Sequence, residues 1–147
     1  MTEAKQVRLT LSSEQDGEVG TTEMIGHVFI KGNSLYVRYV EPPQPPQPEI
    51  RTTVKISSDE IKIMRHGGVE SEQTFRPGEH LSGFYRSPFT RFEMETHTRS
   101  LHHGLKGITG YIAWEYDLYV HEQLGGRFKV SLHIQASDES ADHDSAS

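Results

Sequence analysis

Apolar and polar residues alternate along most of the chain between residues 5 and 135, and an i, i+2 period belongs to a strand with one buried face. Val7, Leu9 and Leu11 alternate with Arg8 and Thr10, Met24 to Ile30 is mixed on both faces, and Leu35, Val37 and Tyr39 alternate with Tyr36 and Arg38. Hairpin chemistry separates the runs. Lys31-Gly32-Asn33 follows the second strand, Ser57-Ser58-Asp59 joins Val54/Ile56 to Ile61/Ile63, and His66-Gly67-Gly68 leads into Val69 to Phe75. Arg76-Pro77-Gly78-Glu79 turns the chain before Leu81, Gly83 and Tyr85, and Ser87-Pro88 breaks it before Phe92, Met94 and Thr96. The cleanest alternations are Ile112 to Val120 and Phe128 to Ile134, with Gly125-Gly126 read as the turn between them. About ten strands, short connections and no helical spacing predict an all-β fold, a single antiparallel up-and-down barrel of roughly 8–10 strands. A two-sheet sandwich is the alternative.

Two segments break the pattern. Glu41-Pro42-Pro43-Gln44-Pro45-Pro46-Gln47-Pro48 is read as an extended, stiff link between strands, with overlapping PxxP spacings that would also suit an aromatic docking groove. Residues 136–147 hold Asp138, Glu139, Asp142 and Asp144 with no Lys, Arg or large apolar residue, and are expected to be a disordered acidic tail. The expected organisation is therefore a barrel domain over residues 1–135, containing the proline-rich loop 42–48, followed by that tail.

At 147 residues, with 33% hydrophobic and 24% charged residues, the chain fits one soluble domain. No run reaches the length of a membrane-spanning helix, and the first residues lack the features of a secretory signal, so a cytoplasmic location without membrane association is expected. The absence of cysteine excludes disulfides, thiolate metal sites and a cysteine nucleophile. The formal net charge is −6, and most of it belongs to the tail. The nearly neutral remainder does not supply the field that nucleic-acid binding needs.

Thr53-Val54-Lys55-Ile56, Ile61-Lys62-Ile63-Met64-Arg65-His66-Gly67-Gly68-Val69, Tyr85-Arg86-Ser87-Pro88-Phe89, Met94-Glu95-Thr96 and Ile112-Ala113-Trp114-Glu115-Tyr116-Asp117-Leu118 occur in that order. Together they resemble the YwiB-like family of small bacterial proteins, over roughly residues 5 to 135. The resemblance implies a calycin-type barrel, related in shape to lipocalins and fatty-acid-binding proteins, and brings no catalytic residues. The proline-rich insertion, the acidic tail and Thr90, where Phe-Gly is the expected pair, depart from that pattern.

Ile61, Ile63 and Arg65 share a face, so inward isoleucines direct the Arg65 guanidinium inward as well. Glu93, Glu95, Glu115 and Asp117 fall on outward parity, leaving no evident counter-ion for a charge that is costly to bury alone. A ligand carboxylate or phosphate would answer that need, with Tyr39, Tyr85 and Tyr116 as donors and Trp114, Phe92 and Met94 as apolar wall. This reading predicts a cavity of at least roughly 300 Å³ near Arg65. The plainer readings are an Arg65 that snorkels at the rim and aromatic residues that simply fill the core.

Other chemistry is weakly signalled. His97 and His103 share a parity that His102 lacks, and His121-Glu122 meets Gly125 where a zinc-binding helix needs its second histidine, so no metal site or cofactor is expected. The pairs Glu93/Glu95 and Glu115/Asp117 suit two-carboxylate chemistry by spacing, but as surface acids they would pair with Arg91, Lys106 or Lys129. The expected function is non-catalytic binding of a small apolar or amphipathic anion inside the barrel. The alternative is a protein-interaction module with a filled barrel, acting through the proline-rich link, the acidic tail or an exposed sheet edge.

Overall fold

The computed structural model describes residues 3–137. The chain forms ten strands: β1 (Lys5–Gln15), β2 (Glu18–Lys31), β3 (Ser34–Val40), β4 (Ile50–Ile56), β5 (Ile61–Gly67), β6 (Glu70–Phe75), β7 (His80–Arg86), β8 (Arg91–Lys106), β9 (Thr109–Val120) and β10 (Gln123–Ala136). Each strand pairs antiparallel with the next, and β1 pairs with β10 to close the barrel. That closure excludes the sandwich and leaves no open sheet edge among the described residues. No helix among them is long and apolar enough to cross a membrane.

Turn chemistry follows from backbone geometry. β1 and β2 extend beyond their alternating stretches to meet at Asp16-Gly17, where positive φ at both residues suits a two-residue hairpin. The turn between β9 and β10 is His121-Glu122, also at positive φ, and not Gly125-Gly126. The glycines instead lie in β10, where the register with β9 shifts between Leu124 and Gly126. This bulge sets Phe128 opposite Tyr116; without the extra residue Arg127 would take that inward place. A second bulge, between Thr98 and Ser100 on β8, brings Leu101 opposite Trp114.

The inward residues form one contiguous core that includes Val7, Leu9, Val28, Val37, Val54, Ile61, Phe75, Ile112, Trp114, Leu132 and Ile134. Phe75 anchors its aromatic part, tilted against Tyr116 at 4.6 Å and Trp114 at 5.6 Å between ring centroids, and Tyr116 stacks on Phe128 at 5.1 Å. Each such fully buried side chain contributes about 1.5–3 kcal/mol of transfer free energy. Strict up-and-down order places β2–β3, β4–β5, β6–β7 and β8–β9 connections at one end of the barrel. Arg76 pairs with Glu60 there, and Gly78 N–H donates to the Thr98 carbonyl at 2.8 Å, tying the β6–β7 turn to β8. The opposite end, which carries residues 41–49 between β3 and β4, is the mouth.

β10 ends at Ala136, and Ser137 Oγ accepts a hydrogen bond from Gln6 Nε2 at 3.1 Å. The expectation of a disordered tail otherwise falls on residues 138–147, outside the described residues.

Candidate functional site at the barrel mouth

One inner row of the sheet runs Tyr39, Thr52, Arg65, Ser71, Tyr85, Phe92, each residue directly opposite the next on the neighbouring strand. Four of the seven candidate residues thus share a single band of the barrel wall. Arg65 is directed inward and is 30% exposed at its side chain.

Its counter-ion is Glu41. Arg65 Nε–H donates to Glu41 Oε2 at 2.8 Å and Nη2–H donates to Oε1 at 2.9 Å, a bidentate pair, while Thr52 Oγ1 donates to Oε2 at 2.7 Å. This corrects the expectation that nothing in the chain neutralises Arg65. Burial alone would raise the Glu41 carboxyl, but hydrogen bonds from Arg65 and Thr52 outweigh it and hold the group below its ordinary value. Burial likewise opposes the Arg65 charge, and the Glu41 carboxylate overrides it, leaving the guanidinium more firmly protonated than usual. Desolvation, followed by the nearby Glu41 charge, pushes the Tyr39 phenol up to about 12.

A signal for Glu41 was present in the chain. Leu35, Val37, Tyr39 and Glu41 keep one parity, so Glu41 continues the inward face of β3 for one more residue before the prolines begin. Residues 42–48 are not extended throughout, because Gln47 N–H donates to the Gln44 carbonyl at 2.9 Å and bends the loop. Glu41 N–H bonds the Ile50 carbonyl and Gly68 N–H bonds the Glu49 carbonyl, both at 2.9 Å, so the loop is fastened at β4 and at the β5–β6 turn.

Beneath this loop lies a pocket of about 540 Å³, bordered by Arg65, Tyr85, Val69, Ile50, Glu41 and the prolines. Arg65 and Tyr85 line it, and Phe92 stacks behind Tyr85 at 5.2 Å. The remaining candidates lie elsewhere. Trp114 (3% exposed) and Tyr116 (9%) are core, and burial pushes the Tyr116 phenol up to about 12. Met94, 8% exposed, borders a separate depression with Tyr119 and His121. The wall of the pocket is therefore made by the loop and by Ile50 and Val69, not by Trp114 and Met94.

The bulge in β8 revises two further expectations. It reverses parity between His97 and His103, so that His97 and His102 both lie on the outer face with Asp117 and Ala113 opposite them. It also frees Arg99 to clasp Asp117, with Nε 3.1 Å from Oδ1 and Nη2 2.9 Å from Oδ2, while Arg127 Nε stands 3.6 Å from Oδ1. Asp117 is only 2% exposed, and its partners are these two arginines instead of Arg91, Lys106 or Lys129. The Arg99 hydrogen bonds hold its carboxyl below the ordinary value. Glu95 lies 3.6 Å from His80 Nδ1. Among the described residues no group of three or more His, Cys, Asp or Glu is arranged to hold a metal ion.

Closure by β1 and β10, unbroken neighbour-to-neighbour order and a packed interior with a pocket at one mouth define a ten-stranded meander barrel. The chain belongs to the family described as Domain of unknown function (DUF1934), which matches residues 6–132. It is 28% identical over 117 residues to the "Uncharacterized beta-barrel protein YwiB" of Bacillus subtilis (strain 168), covering 80% of this chain and 81% of that protein. The crystal structure of the ywiB protein from Bacillus subtilis superposes with a TM-score of 0.77 at 26% identity, over 92% of this chain and 93% of that one.

Proposed function

We propose that this barrel is a calycin-like, non-catalytic binder of a small amphipathic ligand with a single acidic head, held at the mouth beside Arg65 and acting in the bacterial cytoplasm. The observation that supports the reading is the pocket of about 540 Å³ under the loop, a size within the usual range for small-molecule sites. Glu41 takes Nε–H and one Nη2–H of Arg65. A guanidinium has five N–H groups, so part of its fork is left for a ligand oxygen, with the Tyr85 phenol nearby. Pro42, Pro43, Pro48, Ile50 and Val69 offer apolar surface to the rest of the molecule. Glu41 and Glu49 border the same space, which is why the head carries one negative charge and not two.

Native mass spectrometry of protein purified without added ligand, followed by thermal melting with decanoate and with decanol, tests the reading. Decanoate is expected to raise the melting temperature with rising concentration, decanol less so, and Arg65→Gln should abolish the difference between them. The absence of a shift with either compound would contradict it.

A filled barrel acting as a protein-interaction module has the packed core on its side, since Phe75 packs ring against ring on Trp114 and Tyr116 behind the mouth. Of its expected routes, the proline-rich link is bent by its Gln44–Gln47 turn and closure removes the sheet edge.

A further inference from the structure

Outward positions on β2 to β5 gather cations. Lys31, Arg38, Arg51, Lys55 and Lys62 all project from this side of the barrel, and the register sets Arg51 opposite Val40 and Lys55 opposite both Tyr36 and Lys62. No Asp or Glu occupies an outward position on these strands from Ile25 to His66; Glu23 bounds the face on β2, and Glu70 and Glu72 bound it on β6. Among the described residues Lys31, Arg38, Arg51 and Lys55 form no salt bridge, while Lys62 lies 3.4 Å from Glu72. Like charges placed opposite one another destabilise a sheet unless something answers them. Aromatic rings do so in part: Arg38 lies 4.8 Å over Phe29, Lys55 lies 5.9 Å from the centre of Tyr36, and the two rings stack at 5.0 Å.

Arg38 leans toward Phe29, and between it and Arg51 lies a pocket of about 260 Å³ walled by Ile25, His27, Val40 and Thr53. Ile25 is 52% exposed and Val40 48%. An apolar recess with a guanidinium on either side, on a face without carboxylates, is complementary to an apolar side chain flanked by acids. It suits a nucleobase poorly, because the recess is largely apolar and the faces of Phe29 and Tyr36 are covered by each other and by the cations. The net charge of −6 conceals this face, because the acids lie on other parts of the chain.

We propose that the outer face of β2–β5 docks an acidic polypeptide segment, one large apolar side chain entering the recess between Arg38 and Arg51 while neighbouring carboxylates meet Lys31, Arg51 and Lys55. Binding is made by side chains, since closure of the barrel leaves no edge among the described residues to accept an added strand. The recess opens on the outer face and shares only Val40 with the lining of the mouth pocket, so docking there does not depend on a ligand at the mouth.

Fluorescence anisotropy with a labelled polyglutamate peptide carrying one central leucine tests the assignment on the full chain. Saturable binding is expected, weakened several-fold when alanine replaces the leucine and at least about tenfold by the paired substitution Arg38→Glu and Arg51→Glu. Arg91→Glu, an exposed cation on β8, should leave it unchanged, and melting curves should show that every variant folds. Absence of saturable binding, or equal binding by the paired variant, would overturn the proposal, as would tighter binding of an oligothymidylate. Binding seen only after removal of residues 138–147 would assign the face to that acidic segment of the same chain and overturn a separate partner.

Discussion

Glu41 and Arg65, 24 residues apart in the chain, form a bidentate ion pair at 2.8 and 2.9 Å that ties the first residue of the proline-rich loop to the inner face of β5. The pair fastens the loop to the inner wall of the barrel and takes up two of the five N–H groups of the guanidinium. Its two side chains retain 30% and 23% exposure, so its contribution is well below that of a fully buried pair.

Glu41→Gln should lower stability by about 1–2 kcal/mol at neutral pH, measured by urea unfolding. Glu41 titrates below its ordinary value of 4.5 in the fold. The stability it contributes is therefore present above the unfolded pKa and is lost as pH falls through the lower folded value. The gap between native protein and variant should narrow in acid; a variant as stable as the native protein at neutral pH would refute the role of the pair.

Asp117 is 2% exposed between Arg99 and Arg127. Asp117→Asn keeps its volume but removes the charge both arginines face, and should cost about 1–3 kcal/mol, discounted because Arg99 is itself half exposed. Because the Asp117 carboxyl is held below its ordinary value, this loss too should fade as pH falls through the folded pKa. Denaturant curves at two pH values would show it.

Thr98 is completely buried, and its Oγ1 has no hydrogen-bond partner among the described residues, although its backbone N–H reaches the Glu79 carbonyl at 3.3 Å. Thr98→Val keeps the shape and removes a buried hydroxyl, so it should be neutral or stabilising by up to about 1 kcal/mol. Destabilisation of that size would reveal a partner for the hydroxyl.

Gly67 has φ +119°, and a Cβ there would collide with the Glu49 carbonyl oxygen. Gly67→Ala should cost about 1–3 kcal/mol and displace the loop from the β5–β6 turn. Chemical-shift changes confined to residues near 67, without effect on the 41–49 loop, would contradict that coupling.

Much of the barrel was legible because a strand's inner face repeats every second residue: Leu35, Val37 and Tyr39, or Ile112, Trp114 and Tyr116, announce their orientation without help from the rest of the chain. What escaped were the places where parity is reset. Gly125-Gly126 looks like a turn by composition, yet what matters there is a bulge that places Phe128 and not Arg127 inside, and only the partner strand reveals it. The bulge at Arg99 likewise depends on Leu101 meeting Trp114, and it created the Asp117 clasp and separated His97 from His103 in orientation. At the mouth, Arg65, Tyr39 and Tyr85 could be named from their own strands. Glu41 was hidden because the prolines that follow it read as a linker, although its parity continues β3. The absence of acids from the outward strand positions between Ile25 and His66 could not be seen in a net charge, which sums residues that the fold keeps apart.

The most direct measurement is an amide NMR titration of the full chain with decanoate, read residue by residue. Saturable shifts are expected at residues 41–50, at 65–69 and around Tyr85, and they should be lost in Arg65→Gln. No saturable shifts, or shifts confined to another part of the barrel, would contradict a binding mouth at Arg65.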